Sequence, residues 1–529
     1  MIGAQCRMRR DVEALGGGAF DLAVVGGGIY GVCVARDAAL RGLSVALVER
    51  GDFGAATSFN SLKIIHGGFR YLQSADLRRL RESVRERRYW LWAAPHLVRP
   101  LRFVIPLGGG LARSRTAFMA ALAAYRVCSL DGNRGLEQGQ SIAPGQVLGR
   151  NACREQIPAL GDRPVLGGVA WSDAQVIDTE RLLLECLQQA TDAGAVACNH
   201  VRASRLLEQN GRIHGIACED VPSGNALDVR ARVTVDATGP YRFGAGGQPI
   251  SRPLVKSMNL VLSGEEADHA FGAEIPGSGR LIFVTPWRGC SIVGTSYSVY
   301  AGDPDACRFS SEDAAELLAE AGAALPGLNV GAGRVLWRQG GLLPAVGAGH
   351  GRRTTPISRA RLTDHARADG RHGLISLVGE KYTTARSLAQ RAVDLSLRKL
   401  GQRPRPCVAA RTRLPGADGI PGAPDAEALA PAGMPRERWR AAVREGMAVT
   451  LEDLVLRRGD RVVRGRMPLG ELEGAADVMA VELGWSPQRR LAEIAAVHRF
   501  AARHGGTWAS AASSLASNGP TPSAVRSAV

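Results

Sequence analysis

The 529-residue chain has no run approaching the roughly 18–20 consecutive apolar residues that a helix needs to cross a bilayer. Arg7, Arg9 and Arg10 sit near its start, but no apolar core follows them, so neither a membrane span nor a secretory signal is expected. Its ten cysteines form no Cys-x-x-Cys pair and no Cys/His metal spacing. They read as reduced, mostly buried thiols of a cytoplasmic protein without a metal site. There is no internal repeat. Acidic residues are scarce, with 50 Asp and Glu against 66 Lys and Arg, for a net charge of +16. Such an imbalance favours anionic partners: a phosphorylated substrate, the inner face of an anionic membrane, or nucleic acid. Apolar content is ordinary, which argues against general disorder and leaves room for two or three domains.

What is present starts with the apolar run Phe20 to Val25, read as a buried parallel strand, followed by Gly26-Gly27-Gly28-Ile29-Tyr30-Gly31. Val32 to Arg41 has helical composition, Gly42 suits a C-terminal cap, Ser44 to Val48 is a second strand, and Glu49 ends it. Gly26, Gly28 and Gly31 have the dinucleotide-fingerprint spacing of a βαβ unit. Gly26 permits the tight turn, Gly28 admits a pyrophosphate and Gly31 lets helix and strand pack closely. Glu49 stands where a carboxylate accepts hydrogen bonds from a ribose.

The organisation expected is a flexible leader over 1–18, alternating strands and helices over 19–395, a Pro/Gly/Ala linker over 396–425, a helical domain over 426–504 and a disordered tail over 505–529. Asn210-Gly211 marks a hairpin turn. The arginine-rich stretch Arg78 to Arg88 reads as a solvated helix face with local ion pairs, the alternative being a ligand-binding patch.

The stretch from Ala55 to Tyr71 places small hydroxyl residues, a lysine, a histidine and a glycine pair just after the ribose-binding strand. Here the chain resembles the FAD-dependent glycerol-3-phosphate dehydrogenases, within the D-amino-acid-oxidase-like flavoproteins. Lys63, His66, Gly67, Gly68, Arg70 and Tyr71 carry the likeness, which continues through Trp171-Ser172-Asp173, Ala237-Thr238-Gly239-Pro240 and Gly379-Glu380-Lys381-Tyr382-Thr383-Thr384. It reaches Leu451-Glu452-Asp453-Leu454 with Arg457 and Arg458, so that residues 20 to about 500 are covered.

The resemblance implies a Rossmann-type α/β FAD-binding domain interleaved with a β-sheet substrate domain, then a C-terminal helical domain. It implies that Thr57, Ser58, Lys63 and Ile64 line FAD, that Val201 meets the adenine end by main chain, and that Gly239 touches the pyrophosphate. Lys381, Tyr382 and Thr383 would approach the ring, and Arg70, Arg359 and Lys381 would be the substrate cations, with Tyr71 beside them. His66 suits a base or proton relay, since its side chain titrates near neutrality. The implied partners are a small anionic substrate and a quinone or other electron acceptor, with peripheral membrane contact and a homodimer admitted and nucleic acid not expected.

Departures fall on the substrate side. Leu343, in Gly341-Leu342-Leu343-Pro344, stands where the family carries a phosphate-binding arginine; Asn259 replaces a histidine, Tyr297 an aspartate and Leu62 a serine of the flavin loop. Arg338, Arg352 and Arg353 are the nearby cations able to compensate. The expected activity is oxidation of glycerol 3-phosphate to dihydroxyacetone phosphate by hydride transfer to FAD. The alternatives are a related flavin enzyme acting on another hydroxy or amine substrate, a basic membrane- or nucleic-acid-binding scaffold without catalysis, and, ranked low, an NAD-dependent dehydrogenase.

Overall fold

The structure is a computed structural model and describes residues 8–108, 115–241, 253–346, 355–357, 359–379, 381–418, 435–459, 462–465 and 467–506. The chain opens with α1 (Val12–Gly17), β1 (Ala19–Val25), α2 (Ile29–Leu40), β2 (Val45–Val48), β3 (Ile64–Ile65) and α3 (Leu77–Ala93). It continues through β4 (Val98–Pro106), α4 (Arg115–Cys128), β5 (Gln146–Leu148), α5 (Arg150–Gln156), β6 (Gly168–Val176), α6 (Thr179–Asp192) and β7 (Val196–Cys198). Next come β8 (Val201–Gln209), β9 (Arg212–Asp220), β10 (Asn225–Asp236), β11 (Leu254–Ser263), β12 (Ala270–Glu274), β13 (Leu281–Trp287), β14 (Cys290–Tyr300), α7 (Ser311–Ala324) and β15 (Val335–Val346). The last are β16 (Thr355–Pro356), β17 (Arg361–Asp364), α8 (His365–Ala368), β18 (Leu374–Val378), α9 (Ala385–Lys399), α10 (Arg436–Gly446), α11 (Leu469–Leu483) and α12 (Pro487–Arg503).

Two sheets share the chain alternately. The first runs β17-β18-β10-β1-β2-β7, parallel from β18 to β7, with β8 and β9 joined to β10 as an antiparallel meander. The second runs β16-β15-β11-β14-β13-β12-β4-β6-β3, with β5 on β6. The excursions β3–β6 and β11–β16 leave the first sheet and return to it, which is the interleaving the resemblance implies. Val25 is level with Val48 on one side and Asp236 on the other, so three parallel strands end together beside the glycine turn. In such sheets ligands bind at the carboxyl ends of the strands.

Helix α2 begins at Ile29, three residues before the helix expected from composition, because Gly28 is extended and serves as its N-cap. Its apolar residues are buried on all sides, as a helix between a sheet and the helices α6 and α9 requires. Arg41 caps it and Gly42 follows at φ +78°, the left-handed conformation that glycine adopts without strain. The Asn210-Gly211 hairpin joins β8 to β9 with both residues at positive φ.

Residues 8–18, expected to belong to a loose leader, are folded wherever described. Asp11 caps α1 through Ala14 N–H at 2.9 Å, Leu15 is buried, and Arg10 pairs with Asp220. The start of the expected linker completes α9, and Leu400 and Leu414 join the core of the first sheet. Residues 419–434 and the tail from 507 lie outside the described residues. Helices α10 to α12 share a hydrophobic core with Trp287, Ile292 and Trp337 of the second sheet, so the helical region packs directly on the substrate sheet.

Helix α3 corrects the expectation of local ion pairs. Glu86 and Arg87 are buried and pair with Arg386 of α9 and Asp173 of β6, while Arg81 and Arg88 meet Asp131. Among the described residues only Arg79–Asp76, at 3.8 Å, has a helical spacing. Of the nine described cysteines six are buried, and none is paired in a disulfide with another described cysteine. Among the described residues no helix is long and apolar enough to cross a membrane.

Candidate active site

Two of the fingerprint glycines, Gly26 and Gly31, sit where only glycine fits. Gly26 has φ +103°, and a Cβ there would lie 2.8 Å from the Ala237 carbonyl oxygen; a Cβ on Gly31 would collide with the Gly26 carbonyl. Gly28 faces open space apart from the Ser58 hydroxyl, 3.3 Å from where its Cβ would be. That hydroxyl accepts from Ile29 N–H at 3.0 Å, and both residues border a cavity of about 580 Å³. The cavity extends from Glu49 and Val201, past Thr57 and Gly239, to Lys381 and Tyr382.

At the first end, Glu49 accepts from Gly27 N–H at 2.7 Å and Gly51 N–H at 2.9 Å. Burial raises its carboxyl above the usual carboxylate range, and those two N–H groups oppose the shift. Val201 donates its own N–H to the Glu49 carbonyl at 2.8 Å, so that group is already used in the fold. Thr57 donates to the Leu342 carbonyl at 2.9 Å, tying the flavin loop to β15. Gly239, at φ +65°, has nothing within 4 Å of its added Cβ and opens on the cavity.

At the other end, Tyr30 fixes the backbone of Lys381 by donating to its carbonyl at 2.6 Å and accepting from its N–H at 3.1 Å. Lys381 Nζ lies against the Tyr71 hydroxyl and 4.5 Å from that ring's centroid; Arg79 lies 4.2 Å from the same centroid. Tyr382 donates to the Thr179 carbonyl at 2.9 Å, and Thr383 Oγ1 accepts from His66 N–H at 3.1 Å. The His66 imidazole is pushed down to about 3 by burial first, then by Lys381, Arg87, Arg70 and Arg79. It is therefore neutral at ordinary pH, with a buried Nε2 that has no hydrogen-bond partner among the described residues.

A second cavity, of about 650 Å³, opens on the far side of Lys381 between α3 and α9 and includes Tyr71, Arg79 and Arg359. Of the residues singled out from the sequence, Gly26, Gly28, Glu49, Thr57, Ser58, Val201, Gly239 and Tyr382 border the first cavity, Tyr71 and Arg359 the second, and Lys381 both. Lys63 borders neither: Thr179 and Glu180 hold its ammonium group, at 2.7 and 3.2 Å, away from the cofactor side. Ile64 is spent in the short ladder with Gln175 and Gly31 inside the helix packing, while His66 and Thr383 bond each other and border neither cavity. Arg70 is exposed in the turn Phe69–Ser74, close enough to act electrostatically on His66.

On the substrate sheet, Leu343, Asn259 and Tyr297 border the first cavity; Asn259 accepts from the Thr295 hydroxyl at 2.7 Å. Arg338 turns the other way, towards the carbonyls of α12, and Arg352 and Arg353 lie outside the described residues. Sequence reasoning missed Tyr30, which occupies a variable position of the fingerprint, and the Arg50–Asp305 pair at the rim. Neither has a local sequence signal.

These features fit FAD: a glycine cradle at a helix N-terminus, a half-buried carboxylate at the end of the second strand and a long cavity ending at a lysine. Residues 21–386 match the FAD dependent oxidoreductase family. The chain belongs to that family. It is 33% identical over 425 residues to a glycerol-3-phosphate dehydrogenase of Synechocystis, covering 76% of this chain and 74% of that protein. To the mitochondrial glycerol-3-phosphate dehydrogenase of Mus musculus it is 31% identical over 404 residues, covering 72% of this chain and 53% of the relative. The chain thus spans about half the length of the mouse relative. Its fold matches that of the Bacillus halodurans glycerol-3-phosphate dehydrogenase complexed with FAD, at a TM-score of 0.70 and 22% identity, over 93% of this chain and 96% of the other. An L-alpha-glycerophosphate oxidase of Mycoplasma pneumoniae with FAD bound has the same fold at a TM-score of 0.55 and 17% identity, over 75% of this chain and 99% of that one. The protein is an FAD-dependent oxidoreductase acting on a small molecule and passing electrons to an acceptor.

Proposed function

We propose that this flavoprotein oxidises a phosphate-bearing secondary alcohol, glycerol 3-phosphate or a close relative, to the ketone. Bound FAD supplies a two-electron acceptor for the hydride. Lys381 carries the reading, because it borders both the cofactor cavity and the cationic cavity beside it. In this role Lys381 orients the substrate hydroxyl and Arg79 and Arg359 hold the anionic end, arginine offering a two-pronged donor to phosphate. Neutral His66 relays the hydroxyl proton, and Arg70 adds to the positive field around it. Gly26, Gly28, Glu49, Thr57, Ser58, Val201, Gly239, Tyr382 and Thr383 belong to the cofactor side.

Anaerobic titration of the yellow protein with glycerol 3-phosphate tests this: the visible flavin absorbance disappears at millimolar substrate, and a spectrum that stays oxidised removes that substrate. The apolar Leu343 and the Tyr297 ring on the first cavity favour a second reading, a hydroxy or amine substrate without phosphate, which the same titration separates. Electrons pass on to quinone or another acceptor, and the +16 charge supports peripheral contact with the cytoplasmic face of an anionic membrane. Co-sedimentation with phosphatidylglycerol vesicles tests the contact, and light scattering tests for a homodimer.

A further inference from the structure

The cavity between α3 and α9 holds more positive charge than one phosphate needs. Among the described residues eight cations border it against three acids, and each acid already has a partner. Asp76 is shared by Arg359 at 3.0 Å and Arg79 at 3.8 Å, Glu86 is taken by Arg386, and Glu82 accepts from Ser387 at 2.7 Å. Arg78, Arg85 and Arg391 are exposed and form no hydrogen bond or ion pair with the described residues. Arg78 and Arg85 are two helical turns apart on α3, about 10 Å, and Arg391 faces them from α9. A neighbouring cavity shares Arg85 and Arg88 and adds Arg134 and Arg411, which carries the cationic lining further from Lys381. Without a counter-ion among the described residues, Arg78, Arg85 and Arg391 repel one another, and a bound polyanion relieves that repulsion.

We propose that the substrate carries a second anionic group and lies in this cavity, its hydroxyl end at Lys381 and its distal phosphate or carboxylate on Arg78, Arg85 and Arg391. This rests on the flavin-dependent alcohol oxidation proposed above and defines the substrate as an extended polyanion. A ligand with one small anion satisfies Arg79 and Arg359 and leaves the outer three bare. The step itself is unchanged: a C–H hydride goes to FAD and the hydroxyl proton to the protein.

The test uses the FAD-loaded protein at 150 mM salt with two probes, inorganic phosphate and tripolyphosphate, their binding measured by calorimetry. Tripolyphosphate should bind at least tenfold more tightly, and Arg85→Gln/Arg391→Gln should remove that advantage while changing phosphate affinity less than twofold. Equal affinity for the two probes, or tripolyphosphate binding that survives the double substitution, overturns the proposal. Tripolyphosphate should also raise the KM of whatever alcohol reduces the flavin without changing kcat. Inhibition that lowers kcat with KM unchanged places the anion in a separate site and likewise overturns it. Calorimetry needs no turnover, so failure of glycerol 3-phosphate to reduce the flavin is distinguishable from failure here. Retained flavin absorbance in the double variant confirms that it folds.

Discussion

Tyr30 and Lys381 lie 351 residues apart and form two hydrogen bonds, the phenol hydroxyl donating to the lysine carbonyl and accepting from the lysine N–H. The pair joins the N-terminal turn of the cofactor helix to the loop that carries the lysine, two segments that approach only because β1, β10 and β18 are adjacent in one sheet. An added Cβ on Gly379 would enter the Tyr30 ring, so the phenol is confined from that side too. Tyr30→Phe keeps the ring and removes both bonds. At about 1 kcal/mol for each net hydrogen bond, FAD affinity should fall roughly thirtyfold and kcat with it, measured by fluorescence quenching and by single-turnover flavin reduction.

Gly31→Ala should abolish FAD loading. The new methyl group would meet the Gly26 carbonyl oxygen, a rigid backbone atom of the turn that approaches the cofactor. The measurement is flavin content after purification. Gly470→Ala, where an added Cβ meets nothing within 4 Å, should load normally.

The segments that follow β2 and β7 are tied to the helical region. Asp52 is fully buried among Arg457, whose Nε donates at 2.5 Å, Arg458 and Asn199; next to it Asp453 accepts from His200 at 2.8 Å. Removing one member of such a network strands its partners without solvent. Arg457→Met should cost about 3–5 kcal/mol, and the double variant Asp52→Asn/Arg457→Met less than the sum of the two single changes. Urea denaturation of the FAD-bound protein measures both.

Two half-buried histidines, His66 and His200, should act on stability in opposite directions. His66 is shifted down from 6.5 to about 3, so the unfolded chain binds its proton more readily. Its contribution is complete above pH 6.5 and is lost as pH falls towards 3. His200 is shifted up: burial opposes its charge, but the hydrogen bond and charge of Asp453 prevail. Its contribution is complete below 6.5 and is lost as pH rises through the raised value. His66→Gln should therefore flatten the acid limb of the stability profile, and His200→Gln the neutral-to-alkaline limb. The pH dependence of flavin reduction should show no His66 ionisation between pH 5 and 8.

Leu343→Arg places a cation on the β15 wall of the first cavity, opposite the cationic cavity. If the substrate anion rests among the α3 and α9 arginines, the KM for glycerol 3-phosphate should change by less than about threefold, under 1 kcal/mol. A fall of thirtyfold or more would place the anion against β15.

The sequence alone determined the βαβ cradle and the order of its parts, because backbone crowding forces glycine at Gly26 and Gly31 and strand periodicity places Glu49. It also carried the interleaved fold and the family, through motifs that persist in one dimension. Tertiary structure decided the rest. Lys63 and Arg70 sit in the same motif as His66, yet Glu180 draws Lys63 away and Arg70 stays on the surface. Arg78 to Arg88 resembled a self-paired helix, but its acids are committed to α9 and its arginines to β6 and Asp131, which leaves some cations bare above a cavity. Which charge faces which depends on how distant strands and helices pack. Local spacing does not encode that.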